Sequence, residues 1–265
     1  MFSTRKYSSF DIELYDELFP DGNKDAPMLD LRTLRPSTGA YCTGLDNAKF
    51  YDDDPYMSKD TAKKLVLDML KLYHMGYIPF GWNTLSFDFQ LLAHYSGLYE
   101  ECATLALNGV DAMFLVVAHK GYFLGLDKAL VGAGIESKLK FAKFNDGTTG
   151  KISGAQAPLF WRNGEFDAVR SYLEMDVVQP LKLARDIEAT GSIRWTASSG
   201  KYNTLRTKML TVKEALELPV PNTQWMSDPK PRTEYYDWIP SEILRREGVL
   251  PKSTAPNSSD IDELF

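Results

Sequence analysis

The chain has 265 residues, 44% of them hydrophobic, a net charge of −6 and two cysteines. This composition excludes a disordered chain and supplies one sizeable core; the longest apolar runs, such as 113–118, are far shorter than the ~20 residues of a membrane span, and Cys42 and Cys102 have neither the number nor the spacing of a zinc site or disulfide framework. The negative balance also excludes a protein that coats nucleic acid by charge alone, because such binding needs many Lys and Arg contacts to phosphate. A soluble, cytoplasmic protein with unpaired core thiols is expected, since no signal-type apolar stretch follows Met1.

Residues 7–13 alternate, with Phe10 and Ile12 on one side and Asp11 and Glu13 on the other, which is the period of a strand. Both acids then share a face. Asp21-Gly22-Asn23 signals a turn, and two strands are predicted at 28–34 and 39–44, joined across Pro36. A helix follows over 61–75, with Asp60 as its N-cap and Leu65, Met69, Leu72 and Tyr73 as its buried stripe. Gly76 closes it, 77–82 reads as a short buried strand, and 87–95 turns helical directly after the Asn83 loop. Asp88 is thereby placed at a strand-to-helix junction. A helix-turn-helix region runs over about 111–138, broken by glycines, and the polar stretch 145–154 reads as a loop. A long helix is predicted over roughly 165–189, with Pro180 kinking or breaking it near Asp176. Prolines crowd the chain from Pro219 onward, which places a boundary near 218 and a Pro-rich extension over 219–265.

Three distant segments carry acids that together suit a two-metal nuclease site: Asp11 and Glu13, then Asp88, then Asp176. Phosphodiester cleavage uses divalent ions about 3.5–4 Å apart, and hard ions of this kind take oxygen ligands. Short acidic strings recur by chance in an acidic chain. Asp186-Ile187-Glu188 repeats the first motif and Tyr56 to Asp60 repeats the spacing of Tyr172 to Asp176. Local geometry separates the copies. On a helix an i,i+2 pair diverges by about 200°, whereas on a strand it aligns; and Tyr172 and Asp176, at i,i+4 on a helix, share a face.

Phe10-Asp11-Ile12-Glu13, the segment from Asn83 to Phe87-Asp88, and Tyr172 to Asp176 resemble, in order and interval, the three motifs of the DEDD superfamily of 3′→5′ exonucleases. The tyrosine marks the branch (DEDDy) that includes the proofreading domains of family B DNA polymerases. The resemblance covers roughly residues 8–190, and the histidine branch is set aside because Ser171 stands where its histidine would be. It implies an α/β, RNase H-like mixed sheet flanked by helices over 1–218. It also implies two divalent ions, Mg²⁺ or Mn²⁺, and stepwise release of nucleoside monophosphates from single-stranded DNA 3′ ends. By the same resemblance Asp11 bridges both ions, Glu13 and Asp176 complete the first site, Asp88 helps hold the second, and Tyr172 orients the attacking water. Asn83 and Phe87 would contact the nucleic acid; Leu14 stands where many relatives have Thr, which alters the contact with the terminal nucleotide. An exoribonuclease of the same superfamily and a non-catalytic module that binds nucleic-acid ends are the alternatives. The basic clusters at 138–143 and 194–208 read equally as solvated faces or as guides for substrate. The acidic tail Asp262-Glu263-Leu264-Phe265 is loosely similar to sliding-clamp-binding peptides and suggests a replication partner.

Overall fold

A computed structural model describes residues 5–19, 27–45 and 48–251. The turn expected at 21–23, the linker at 257–260 and the tail at 262–265 lie outside the described residues. Five strands form a mixed sheet: β1 (Lys6–Leu14), β2 (Pro36–Cys42), β3 (Lys49–Asp52), β4 (Tyr77–Gly81) and β5 (Val110–Asp111), in the spatial order β3-β2-β1-β4-β5. β1 is parallel to β4 and antiparallel to β2, and β2 is antiparallel to β3, so only β2 runs against the rest. With helices on both faces, this is an RNase H-like α/β fold.

The alternation in β1 sorts its side chains between two helical layers. Phe10 and Ile12 face helices α1 (Lys59–His74) and α2 (Asp88–Ser96), with the Phe10 and Phe89 rings 4.5 Å apart. Asp11 and Glu13 face the long helix α7 (Phe166–Thr190), which packs on β1, β2 and β4. Strands covered on both sides read as nearly continuous apolar runs, and β1 departs from that rule at exposed Lys6, at its serines and at these acids. Gly39 on β2 is fixed by space. A Cβ there would lie 2.7 Å from Leu65 and 3.0 Å from Ile12, so the sheet meets α1 closely only with glycine at that point.

Several elements differ from the sequence expectation. Residues 28–34 are not a strand: Asp30 accepts the Arg32 N–H at 2.9 Å and caps a 3-10 turn at Leu31–Thr33, whose Leu31 is buried beside α2. The partner of β2 is β3 instead, and Pro36 begins β2, where its missing N–H is tolerated. Ser58, not Asp60, caps α1, accepting the Thr61 N–H at 3.2 Å, and Asp60 sits in the first turn. Helix α3 (Tyr99–Asn108) has no counterpart in the reading above; it precedes α4 (Ala112–Lys120) and α5 (Leu126–Gly132). The stretch 145–154 contains β7 (Thr149–Lys151), which forms a hairpin with β6 (Phe141–Lys143). Helix α6 (Ala157–Arg162) leads into α7, which runs unbroken for 25 residues through Pro180. Proline in a helix interior removes one hydrogen bond, here to the Asp176 carbonyl, at a cost of ~3 kcal/mol. Packing of both flanking turns on the sheet outweighs that cost.

Beyond α7 come a second hairpin, β8 (Ser192–Thr196) with β9 (Tyr202–Arg206), whose β8 packs on α5 and α7, and helix α8 (Val212–Leu216), which packs on α3 and α4. The described part of the Pro-rich extension, with its helix α9 (Ser241–Arg246), lies on the main core. Tyr235, Trp238, Ile239, Ile243 and Leu244 are buried in it, and Trp238 Nε1 donates to the Leu85 carbonyl at 2.7 Å. Cys42 and Cys102 are buried free thiols. Among the described residues no helix is long and apolar enough to cross a membrane.

Candidate metal centre

Three elements deliver the acids. β1 brings Asp11 and Glu13 side by side, the first turn of α2 brings Asp88, and the middle of α7 brings Asp176 with Tyr172 one turn earlier. One carboxylate oxygen each from Asp11, Glu13 and Asp176 lie within 4.8 Å of one another, so these residues can hold a metal ion. Asp88 lies against Asp11, near enough for a side-chain hydrogen bond between the two carboxyls. Tyr172 shares the same cleft, a cavity of about 240 Å³ also lined by Leu14, Phe87, Lys138 and Gly154.

The electrostatics are those of an anionic nest awaiting positive charge. Burial pushes Asp11 up to about 7, with repulsion from Asp176 adding to it. Burial first and Asp11 second hold both Glu13 and Asp88 well above the carboxylate range, and burial also raises Asp176. Asp88 Oδ1 and Asp176 Oδ1 are buried without a hydrogen-bond partner among the described residues. Unpaired buried oxygens of this kind cost roughly 1–3 kcal/mol each, a cost that bound metal would offset. The donor set therefore fits a hard divalent ion.

Among the described residues Lys138 supplies the one positive charge that pairs with the cluster. Its Nζ lies 2.7 Å from Asp176 Oδ2 and 5.3 Å from the Tyr172 ring centroid. Its backbone is held in turn: Asp127 accepts the Lys138 N–H at 3.0 Å, and buried Gln179 on α7 donates to the carbonyls of Glu136 (3.0 Å) and Ser137 (2.9 Å). The sequence showed Lys138 only as part of a basic cluster. No local spacing links it to Asp176, 38 positions later. Tyr172 accepts the Gly154 N–H on its phenolic oxygen at 3.2 Å, and burial raises its pKa.

The loop before α2 is fixed from below. Buried Asp111 accepts the N–H groups of Asn83 (3.0 Å), Leu85 (2.9 Å) and Phe114 (2.9 Å), which caps α4 and ties that loop to β5. Asp before an apolar run is a legible N-cap signal; its second grip, on the Asn83 loop, is tertiary. Leu14 and Phe87 line the cleft. Asn83 does not: it has φ +67°, a conformation Asn tolerates better than most residues, and its Oδ1 accepts the Ser86 hydroxyl at 2.7 Å. The decoy acids lie apart from the cluster, Asp186 pairing with Arg194 at 2.6 Å and Asp60 standing on the first turn of α1.

No family model matches the chain, and no curated protein matches it. Among solved structures it is similar to the family B DNA polymerase from the hyperthermophilic archaeon Pyrobaculum calidifontis, with 16% sequence identity and a TM-score of 0.46. That alignment covers 70% of this chain and 25% of the polymerase, so the chain spans about a quarter of that protein's length.

Proposed function

We propose that the chain is a metal-dependent 3′→5′ exonuclease that trims single-stranded DNA from its 3′ end to nucleoside monophosphates. The observation that carries the reading is the meeting of Asp11, Glu13 and Asp176 within 4.8 Å, with Asp88 against Asp11 and Tyr172 in the same cleft. Asp11, Glu13 and Asp176 would hold one Mg²⁺ or Mn²⁺ and Asp88, with Asp11, a second, and such ions activate water and steady the leaving oxygen in phosphodiester hydrolysis. The protein's own groups complete the chemistry. Tyr172 accepts the Gly154 N–H on its phenolic oxygen and lies within hydrogen-bond reach of Asp176; its raised pKa keeps the O–H protonated, so it orients water beside the metal ligands rather than acting as a base. Lys138 offsets the charge of Asp176 as a phosphate enters. Leu14 and Phe87 give the terminal nucleotide an apolar wall, and the Asn83 amide N–H₂, with its oxygen held by Ser86, is left to donate to the nucleic-acid backbone.

The test is digestion of a 5′-labelled oligonucleotide with Mn²⁺, run beside an RNA of the same sequence. A descending ladder on DNA that disappears with chelator and in Asp176→Asn is the expected result. Intact DNA bound by the wild type would leave a non-catalytic end-binding module, and a ladder on RNA alone would make the enzyme an exoribonuclease.

A further inference from the structure

The β6–β7 hairpin leaves the cleft wall at Lys138 and returns to it at Gly154, both of which line the candidate metal centre. Its two faces have opposite characters. The inner face carries Ala142, and with Ile152 just past β7 it packs against Ala168 and Tyr172 in a small core of its own. Gly150, opposite Ala142, leaves room for the Phe144 ring of the same hairpin, which a Cβ would meet, and Phe144 packs beside that core. The outer face carries Phe141, 54% exposed, with Lys151 directly across from it, and Lys143 across from Thr149. Lys143 and Lys151 are exposed and pair with no carboxylate among the described residues, whereas Lys140 lies 3.8 Å from Asp127.

This face is cationic in an anionic protein. Residues 138–151 hold four lysines and one acid, Asp146, which sits in the turn at the far end and accepts from the Thr148 N–H and hydroxyl. Glu165 accepts the Asn145 N–H at that same end, and Asp127 lies beside Lys140 at the other. An exposed ring flanked by unpaired lysines has no evident packing role. It matches what binds single strands without sequence preference: amines on phosphates and a π-face on a base. Phe141 stands three residues from Lys138, at most about 11 Å of extended chain, so a strand with its end among the carboxylates can continue onto it.

We propose that the outer face of the β6–β7 hairpin is a binding tract for single-stranded nucleic acid upstream of the end held at the metal centre, with Lys143 and Lys151 on phosphates and Phe141 under a base. The proposal rests on the nuclease reading for what occupies the cleft, and its test separates the two. Fluorescence anisotropy with Ca²⁺ in place of Mn²⁺ would compare a dT₃ and a dT₁₂ single strand on the full chain. Lys143→Ala/Lys151→Ala should weaken dT₁₂ binding about tenfold and flatten the slope of log affinity on log salt by roughly 1.4, the value for two phosphate contacts. Phe141→Ala should weaken it about tenfold as well. Binding of dT₃ should be unchanged in both, and all three side chains are exposed, so unaltered thermal unfolding is expected. Wild-type affinity for dT₁₂ in the variants, an equal loss on dT₃, or duplex binding as tight as single-strand binding would overturn the tract. A wild type that binds dT₁₂ through these residues yet leaves DNA intact with Mn²⁺ would remove the nuclease reading and keep the tract.

Discussion

Asp11 shows how a residue fit for catalysis is poorly fit for stability. Burial and its neighbour Asp176 raise its pKa to about 7 from an ordinary 3.8. An acid whose pKa folding raises binds more protons in the folded state, so its contribution is full below about pH 4 and is lost as the pH climbs through about 7. The metal-free protein should therefore lose stability across that window, and Mn²⁺ should restore it. Thermal unfolding with and without Mn²⁺ should show a larger shift at about pH 8 than at about pH 5, because ligands must be deprotonated to bind metal. By the same reasoning Asp11→Asn should stabilise the metal-free protein at neutral pH by about 1–2 kcal/mol, read as a higher melting temperature, while abolishing cleavage. Tyr172→Phe removes the acceptor for the Gly154 N–H and costs about 1 kcal/mol. It should lower kcat by about one to two orders of magnitude, at or below the roughly 10²–10⁴-fold share of a group that itself transfers a proton, with Mn²⁺ affinity in a calorimetric titration preserved.

At the scale of elements, the site depends on segments that contribute no ligand. The loop carrying Phe87 into Asp88 is held by Asp111 through its N–H groups and by Trp238 through the Leu85 carbonyl. Trp238→Phe keeps most of the ring's packing but leaves that buried carbonyl without its donor. A loss of roughly 1–3 kcal/mol is expected by denaturant unfolding, with KM for an oligonucleotide rising more than kcat falls, because the loop bears a wall of the cleft. The sequence made β1, α1, β4 and α7 legible, since each has a strong period and clear boundaries. It misplaced 28–34 and 145–154 for identifiable reasons. Leu31 and Leu34 obey a helical step only once Asp30 has capped the turn, and Thr149–Lys151 has no apolar alternation because only Gly150 faces inward.

For the whole molecule, the described part of the Pro-rich extension shares the core it follows. Tyr235 lies 5.6 Å from the Phe114 ring centroid, and Trp238, Ile239, Ile243 and Leu244 are buried with it. Fully burying side chains of this size contributes about 1.5–3 kcal/mol each, which together rivals the 5–15 kcal/mol net stability of a domain. A chain ending at 218 should accordingly unfold at much lower temperature or fail to fold, as calorimetry and limited proteolysis would show.

The sequence by itself determined the face-sharing of Asp11 with Glu13, the pairing of Tyr172 with Asp176 on one turn of helix, and the junction position of Asp88. Each is a local consequence of a strand or helix period, which neighbouring residues set. Only the tertiary structure decided that these three segments converge, that Lys138 reaches Asp176, and that Trp238 and Asp111 brace the loop between them. Those contacts join positions from 26 residues apart, Leu85 to Asp111, to 165 apart, Asp11 to Asp176, and no periodicity extends so far along the chain. They arise because one sheet must be covered on both faces, and the helix that covers the acidic side of β1 brings its own acid with it.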